Sequence, residues 1–211
     1  MKSYEMLLES NRAWAEKQNA EDPSFFEKMA KGQSPEFLWI GCSDSRAPAD
    51  KLTGTDPGQI FVHRNVANLV VHTDFNLLSV LQYAVQVLKV KHIMVVGHTG
   101  CGGVRAAMGN KSFGLIDSWI KGIKDVYVQN EKELMAIENE DERADKLAEF
   151  NVIQQVNNLK NTTIVQNAWK EGEYPYLHGW ILELKSGHIK QIVELDKSSM
   201  DDSVDVFKYS I

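Results

Sequence analysis

The chain has 211 residues, of which 43% are hydrophobic and 25% are charged. This composition is typical of a globular protein, and the length suits one substantial domain, since domains commonly span roughly 100 to 200 residues. Its 23 basic and 29 acidic residues give a net charge of −6, which disfavours nucleic acid as a partner because phosphate backbones attract basic surfaces. No apolar run approaches the roughly 18 to 20 residues of a membrane helix, and the charged N-terminus is unlike a secretory signal. We therefore expect neither a nucleic-acid nor a membrane partner.

Cysteine usage indicates a reducing compartment. The two cysteines, Cys42 and Cys101, could form at most one disulfide, so the fold cannot depend on disulfide bridges. We expect a cytoplasmic protein.

The first third of the chain is predicted to begin with two helices. Apolar residues recur at helical spacing over residues 4–14, and a second short helix follows from about residue 23. We assign residues 1–34 to an N-terminal helical arm of a single 1–211 domain. The apolar run 37–41, bounded by turn residues, predicts a buried strand that ends at Cys42.

Strands and helices then alternate. Residues 60–65 and 92–97 read as buried strands, and between them the apolar spacing predicts a helix that runs from an N-cap at Thr73 to residue 88. Residues 114–160 read as helical, with a charge-dense solvent face at 131–150.

The last part of the chain is predicted to complete a sheet. Residues 162–167 read as a fourth strand, and residues 180–184 with 188–195 read as a hairpin. The whole pattern predicts an α/β fold: a central, mostly parallel sheet of four parallel strands plus an antiparallel edge strand, flanked by helices, with the N-terminal helical arm.

Two loops carry the residue types that bind metals. Cys42 opens the loop CSDSR after one buried strand, and His98 and Cys101 lie in HTGCGG after another. Functional groups gather at the carboxyl ends of parallel strands where the strand order reverses, so these three side chains are expected to converge. Two thiolates and an imidazole suit zinc, and three protein ligands leave a fourth position open, as in catalytic sites. Each residue alone would more often be structural.

Asp44 and Arg46 lie in the same loop as Cys42. An aspartate there could accept a proton, ligate the metal, or pair with the guanidinium of Arg46. An ion pair would keep the carboxylate ionised and draw it away from the metal.

The pattern C-x-D-x-R followed by H-x-x-C-G-G resembles the β-class carbonic anhydrases, close to their bacterial members. The resemblance continues through LTGTDPG, FVHRNVANLV, LSVLQYAV and HGW, over most of the chain. It implies one Zn²⁺ per subunit on Cys42, His98 and Cys101. It also implies a catalytic pair, Asp44 and Arg46, in which Asp44 is a possible fourth zinc ligand in a closed state.

The resemblance further implies a substrate pocket, a homo-oligomer and a reaction. The homo-oligomer would be a dimer or a tetramer, with the arm packed on another subunit. Zinc-bound hydroxide would attack CO2 to give bicarbonate and a proton, a role for which carbonic anhydrase is the standard example. The pocket residues implied are Gln33, Phe61, Val66, Tyr83 and Gly102.

Two other functions fit the same ligands. A related zinc hydrolase could act on carbon disulfide or carbonyl sulfide, and a non-catalytic zinc- or bicarbonate-binding module would need neither Asp44 nor Arg46. Both residues are present, which favours an enzyme.

The chain departs from its bacterial relatives at two positions. Some of them hold an inhibitory bicarbonate between a tryptophan, an arginine and a tyrosine, which match Trp39, Arg64 and, at the tyrosine position, Leu182. The missing phenol leaves bicarbonate inhibition open. Thr99 stands where close bacterial relatives have tyrosine, so the packing around His98 is expected to differ.

Overall fold

The computed structural model describes residues 2–200 and 205–209. The chain divides into two compact units, residues 1–34 and 35–211. The N-terminal unit holds helices α1 (Ser3–Glu21) and α2 (Phe25–Ala30). Within it, the Trp14 ring packs edge-on against the rings of Phe25 and Phe26, which joins the two helices. The packing of this arm on another subunit stays a prediction.

The second unit is built on a five-stranded sheet in the order β2-β1-β3-β4-β5. The first four strands are parallel and β5 runs antiparallel to β4, so the predicted fold class is confirmed. The strands are β1 (Phe37–Cys42), β2 (Ile60–Asn65), β3 (His92–His98), β4 (Tyr176–Leu182) and β5 (Ile189–Leu195).

Eight α-helices of this unit, counted over the described residues, connect and flank the strands. Helix α4 continues through a π-helical turn at Tyr83–Leu88. The helices are α3 (Ala49–Thr53), α4 (Phe75–Gln82), α5 (Gly102–Met108), α6 (Ile116–Trp119), α7 (Lys121–Gln129), α8 (Glu131–Met135), α9 (Glu140–Lys160) and α10 (Thr163–Glu171).

Alternate residues of each strand face opposite sides of the sheet, as strand geometry requires. Leu38 and Ile40 of β1 join the main core, which most of these helices cover. Trp39 of β1 and Met94 of β3 belong to a smaller apolar cluster with Ala49 of α3. Both cores are buried, so β1 and β3 are held rigidly from two sides.

Two glycines let α9 lie close against the sheet. A Cβ atom added at Gly97 of β3 would come within 2.7 Å of Val152 of α9, and one added at Gly179 of β4 within 2.9 Å. These distances are shorter than carbon–carbon contact at about 3.5–4.0 Å. The helix backbone can therefore reach this position only because both strand residues lack a side chain.

The strands predicted at 37–41, 60–65 and 92–97 are confirmed, but the strand predicted at 162–167 is wrong. These residues begin α10, where the Thr162 hydroxyl accepts a hydrogen bond from the Val165 N–H at 3.2 Å and caps the helix. Val165 and Trp169, four residues apart, bury one helical face. The fourth parallel strand is β4, the first strand of the predicted hairpin.

The N-cap predicted at Thr73 is also wrong. The Asp74 carboxylate accepts a hydrogen bond from the Asn76 N–H at 3.0 Å, so α4 begins one residue later than predicted. Either side chain can cap a helix, and the sequence alone does not separate two adjacent capping residues.

Candidate metal centre

Three side chains converge where the strand order reverses. Cys42 is the last residue of β1, His98 the last residue of the neighbouring β3, and Cys101 the N-cap residue of α5. All three are buried, and their sulfur and nitrogen atoms lie within 4.8 Å of one another. The chain passes from β1 to β2 on one side and returns to β3 on the other, which opens the crevice between the two loops.

The hydrogen bonding of His98 leaves one nitrogen available to a metal. Its Nδ1 donates to the Thr99 carbonyl oxygen at 2.9 Å, so Nε2 carries the lone pair. Nε2 is fully buried and has no hydrogen-bond partner among the described residues. A buried, unpaired polar atom is costly, and a metal ion would satisfy it.

Ionisation of one cysteine opposes ionisation of the other when no cation is present. A hydrogen bond from the Cys101 thiol lowers the pKa of Cys42, and backbone N–H groups of Asp44 and Ala67 add to this effect. The Cys42 sulfur and burial together raise the pKa of Cys101. Two thiolates at this distance repel each other in the interior, and a divalent cation would offset that repulsion. The donor set therefore fits a soft divalent metal such as zinc.

Backbone amides at the start of α5 face the second sulfur. The N–H groups of Gly103 and Val104 hydrogen-bond to Cys101 and act against the increase in its pKa. A helix N-terminus favours negative charge, so this end of α5 stabilises a thiolate.

The pair Asp44 and Arg46 lies beside the three ligands. Arg46 Nε donates to Asp44 Oδ1 at 2.9 Å and Nη2 to Oδ2 at 2.7 Å, a bidentate contact. The guanidinium holds the pKa of Asp44 well below its usual range. Asp44 Oδ2 lies 3.7 Å from His98 Nε2, beyond hydrogen-bond range. The carboxylate is thus ionised, oriented by Arg46 and adjacent to the donor set.

Arg64 has contacts that sequence reasoning missed. Its Nε donates to the Cys42 carbonyl oxygen at 2.9 Å and its Nη2 to the Asp44 carbonyl oxygen at 2.5 Å. These bonds tie β2 to the loop that carries one metal ligand and the carboxylate. Nothing in the sequence signals a contact of a side chain with a backbone 20 to 22 residues away.

Trp39 and Leu182, the other residues matched to a bicarbonate site, take no part in these hydrogen bonds of Arg64. Trp39 is buried in the smaller core, and its Nε1 has no hydrogen-bond partner among the described residues. Leu182 ends β4 and is 1% exposed. Its carbonyl oxygen accepts from the Thr99 N–H at 3.0 Å, while Thr99 Oγ1 accepts from the Leu184 N–H at 3.0 Å. Thr99 therefore anchors the His98 segment to the end of β4.

Four of the five predicted pocket residues lie in the second unit. The rings of Phe61 in β2 and Tyr83 after α4 lie 5.8 Å apart between centroids. Val66 is 37% exposed just after β2, and Gly102 is exposed in the first turn of α5. Gln33 is exposed and belongs to the N-terminal unit.

Comparisons with known proteins agree with this site. A family model described as carbonic anhydrase matches residues 37–189. A carbonic anhydrase of Emericella nidulans is 48% identical over 190 residues, which cover 90% of this chain and 83% of the relative. The chain belongs to the carbonic anhydrase family, and its structural relatives place it in the β-class.

Two solved structures illustrate that relationship. A β-carbonic anhydrase of Sordaria macrospora, one of two described as tetrameric, is 40% identical with a TM-score of 0.88 and covers 92% of this chain and 100% of its own. The β-carbonic anhydrase CafA of Aspergillus fumigatus is 36% identical with a TM-score of 0.91, over 99% of this chain and 100% of its own. These relatives are fungal, whereas the sequence motifs suggested bacterial ones.

Proposed function

We propose that this chain catalyses the reversible hydration of carbon dioxide to bicarbonate and a proton. The observation that carries the proposal is the convergence of two buried thiols and an unpaired imidazole nitrogen within 4.8 Å, with an ionised carboxylate beside them. A structural metal site would need no such carboxylate. Membership of the carbonic anhydrase family supports the reaction.

Cys42, His98 and Cys101 would hold one zinc ion per subunit. When bound, zinc supplies a Lewis acid that makes water a nucleophile near neutral pH, an effect for which carbonic anhydrase is the standard example. Three protein ligands leave room for a fourth, non-protein partner. The burial of all three side chains supports this assignment, since they exclude bulk water from the donor set.

Asp44 and Arg46 would handle the proton. Asp44 Oδ2 is the carboxylate oxygen near His98 Nε2 and is placed to accept a hydrogen bond from the reacting water. Arg46 holds that oxygen at 2.7 Å and keeps the carboxylate ionised. A closed state, with Asp44 as fourth ligand, would compete with the bidentate Arg46 contact, so that contact favours the open state.

The substrate pocket would be apolar, as suits a neutral molecule such as CO2. We assign its walls to Phe61, Val66 and Tyr83, and its polar edge to the Gly102 backbone. Gln33 stays a candidate pocket residue by the family resemblance alone. Trp39 and Arg64 remain candidates for a bicarbonate site. Arg64 Nε and Nη2 already donate to carbonyl oxygens, so an anion would have to bind at Nη1 or displace one of these bonds.

The protein would work as a homo-oligomer, a dimer or a tetramer, in the cytoplasm. Large apolar side chains stay exposed in the isolated chain, which is typical of subunit interfaces; they include Leu7 at 72%, Phe75 at 84% and Val87 at 61%. The Sordaria macrospora relatives are described as tetrameric. Both cysteines are free, which suits a reducing compartment, and no helix among the described residues is long and apolar enough to span a membrane.

Elemental analysis and a stopped-flow CO2 hydration assay test the proposal. We expect about one zinc per chain and rapid hydration by the wild type. Asp44→Asn should keep the zinc and lower kcat/KM by about 10²- to 10⁴-fold, the usual contribution of a positioned acid or base. Asp50→Asn, the same change at an exposed aspartate of α3, is the matched control and should hydrate CO2 normally.

Three outcomes would contradict the proposal. A wild type without zinc would remove the metal centre, and unchanged hydration by Asp44→Asn would remove the role of Asp44. Hydrolysis of carbonyl sulfide or carbon disulfide by a wild type that does not hydrate CO2 would assign the site to the related hydrolases instead.

A further inference from the structure

The segment 98–101 carries two of the three candidate ligands, one at each end. Its middle is a tight turn in which Gly100 adopts a left-handed conformation, with φ of +63°. This turn sets the distance between the end of β3 and the start of α5, and therefore the distance between the His98 nitrogen and the Cys101 sulfur. A group that holds the turn acts on the metal site without touching the metal.

One side chain from a distant helix holds this turn. The Gly100 N–H donates a hydrogen bond to Asp145 Oδ1 of α9 at 2.7 Å, across 45 residues of sequence. Asp145 is half-buried, so this contact is shielded from water more than a surface contact would be. Hydrogen bonds from an N–H to a carboxylate are shorter and roughly twice as strong as those between neutral groups.

Helix α9 is a firm support for such a contact. Val152, two turns further along the helix, lies against Gly97 and Gly179 in the close approach described above. One turn earlier, Asp141 pairs with Arg105 of α5 at 2.6 Å. Asp141 and Asp145 thus lie one turn apart on α9 and contact α5 and the ligand segment respectively.

The opposite side of the segment is held independently. The Thr99 N–H and hydroxyl oxygen bond to backbone atoms at the end of β4. Loss of the Asp145 contact therefore leaves the segment attached to the sheet on one side. We expect the turn to loosen without unfolding.

We propose that Asp145 is a positioning residue of the metal centre, which holds the Gly100 turn so that His98 and Cys101 keep their metal-binding separation. The inference rests on the proposed function, since it presumes a metal on these ligands. Groups that orient metal ligands commonly contribute about 10- to 100-fold to metal affinity.

Four variants separate the effect of the position of the Asp145 oxygen from the effect of its charge. Asp145→Ala removes the acceptor, and Asp145→Asn keeps an oxygen acceptor but removes the charge. Asp145→Glu keeps the charge but displaces the oxygens by one methylene group. Asp141→Ala is the matched control, because it removes an aspartate one turn away whose side chain is 73% exposed and which contacts α5 and not the ligand segment.

The readouts are the zinc dissociation constant, by competition with a chelator, and the visible spectrum of the cobalt-substituted protein. We expect Asp145→Ala to bind zinc about 10- to 100-fold more weakly and to show altered cobalt bands. Asp145→Asn should bind more tightly than Asp145→Ala and Asp145→Glu, and Asp141→Ala should bind as the wild type does. If Asp145→Ala fails to fold, the comparison of Asn with Glu decides.

Two results would overturn the inference. One is an Asp145→Ala protein with wild-type zinc affinity and cobalt spectrum; the other is Asp145→Asn binding zinc no better than Asp145→Glu. Failure of the proposed function looks different: a wild type that binds zinc but does not hydrate CO2 removes the function and leaves the role of Asp145 in metal binding intact.

Discussion

Strand β3 has a histidine at each end, and the two ends have opposite properties. His98, at the carboxyl end, lies beside two thiols and has a buried nitrogen with no partner among the described residues. His92, at the amino end about 20 Å away along the strand, faces another imidazole: His92 Nδ1 and His178 Nε2 are 3.0 Å apart. The first arrangement leaves a donor for a metal, whereas the second pairs the two donors with each other.

The neighbours of each histidine explain the difference. The His92 ring stacks on Phe37 and Tyr176, and its Nδ1 is occupied by His178. Beyond His178 lies Glu194, with 3.9 Å between Nδ1 and Oε2. No thiol is among these neighbours. His178 Nδ1 is also buried without a hydrogen-bond partner among the described residues, so an unpaired imidazole nitrogen alone does not indicate a metal site. The comparison teaches that the two thiols beside His98 distinguish its end of the strand.

The largest expected effect comes from exchanging each histidine of β3 for alanine. His98→Ala should lose zinc and reduce CO2 hydration by more than about 100-fold, because a direct ligand should contribute more than an orienting group does. His92→Ala should keep its zinc and its activity. Elemental analysis measures the zinc content of the two variants, and stopped-flow assays measure their CO2 hydration. Equal zinc loss in both would show that the two ends of β3 do not differ in metal binding.

Metal removal should lower the stability of the protein only in variants that keep the metal site at the carboxyl end of β3. Zinc at about 100 times its dissociation constant stabilises by about 2.7 kcal/mol. For a protein of this size, a change of 1 kcal/mol in the free energy of unfolding shifts Tm by about 2–4 °C, so a chelator should lower Tm by about 5–10 °C. We expect this decrease in the wild type and in His92→Ala. A similar decrease in His98→Ala, followed by differential scanning fluorimetry, would show that the chelator acts elsewhere.

The histidines near the amino end of β3 should instead make the stability of the protein depend on pH. Burial lowers the pKa of His178 below 6.5, and the neighbouring His92 lowers it further, while Glu194 opposes this. His178 therefore binds a proton more readily in the unfolded chain than in the folded one. Its contribution to the free energy of unfolding is complete above about pH 6.5 and is lost as the pH falls below that value. His63, whose pKa burial also lowers, contributes in the same direction.

His178→Gln tests this pH dependence. Urea unfolding at about pH 7.5 and at about pH 5.5 should show a smaller loss of stability on acidification in the variant than in the wild type. An equal loss in both proteins would assign the acid sensitivity to other groups, such as His63.

The smallest effect is expected at Glu194. Its side chain is 51% exposed and lies 3.9 Å from His178, so the pair contributes about 0–1 kcal/mol. Because Glu194 raises the pKa of His178, Glu194→Gln should make unfolding at acidic pH slightly easier and leave neutral stability and zinc content as they are. Improved stability of Glu194→Gln at about pH 5.5 would show that Glu194 does not stabilise protonated His178.

Sequence reasoning found the candidate centre because its signal is local. Cys42 and His98 lie at the ends of apolar runs that predict buried strands, Cys101 follows three residues later, and parallel strands bring their carboxyl ends together. The contacts of Arg64 and Asp145 could not be found in this way. Each contacts backbone atoms 20 to 45 residues away, and no residue pattern records such a contact.

The error at 162–167 has a physical cause as well. Thr163, Ile164 and Val165 are β-branched and favour a strand locally. The helix wins because Thr162 caps it and because Val165 and Trp169 bury their side chains on one helical face. The i and i+4 spacing of those two residues was visible in the sequence and was the signal to weigh against propensity.

The bare strand positions under α9 make the centre sensitive to very small changes at residues that bind no metal. A methyl group at Gly97 or Gly179 would meet Val152 and push the helix outward. Close-packed interiors transmit such a displacement and do not absorb it. Because the same helix carries Asp145, chemistry at the carboxyl end of the sheet depends on two missing methyl groups, one beside His98 and one in the middle of β4.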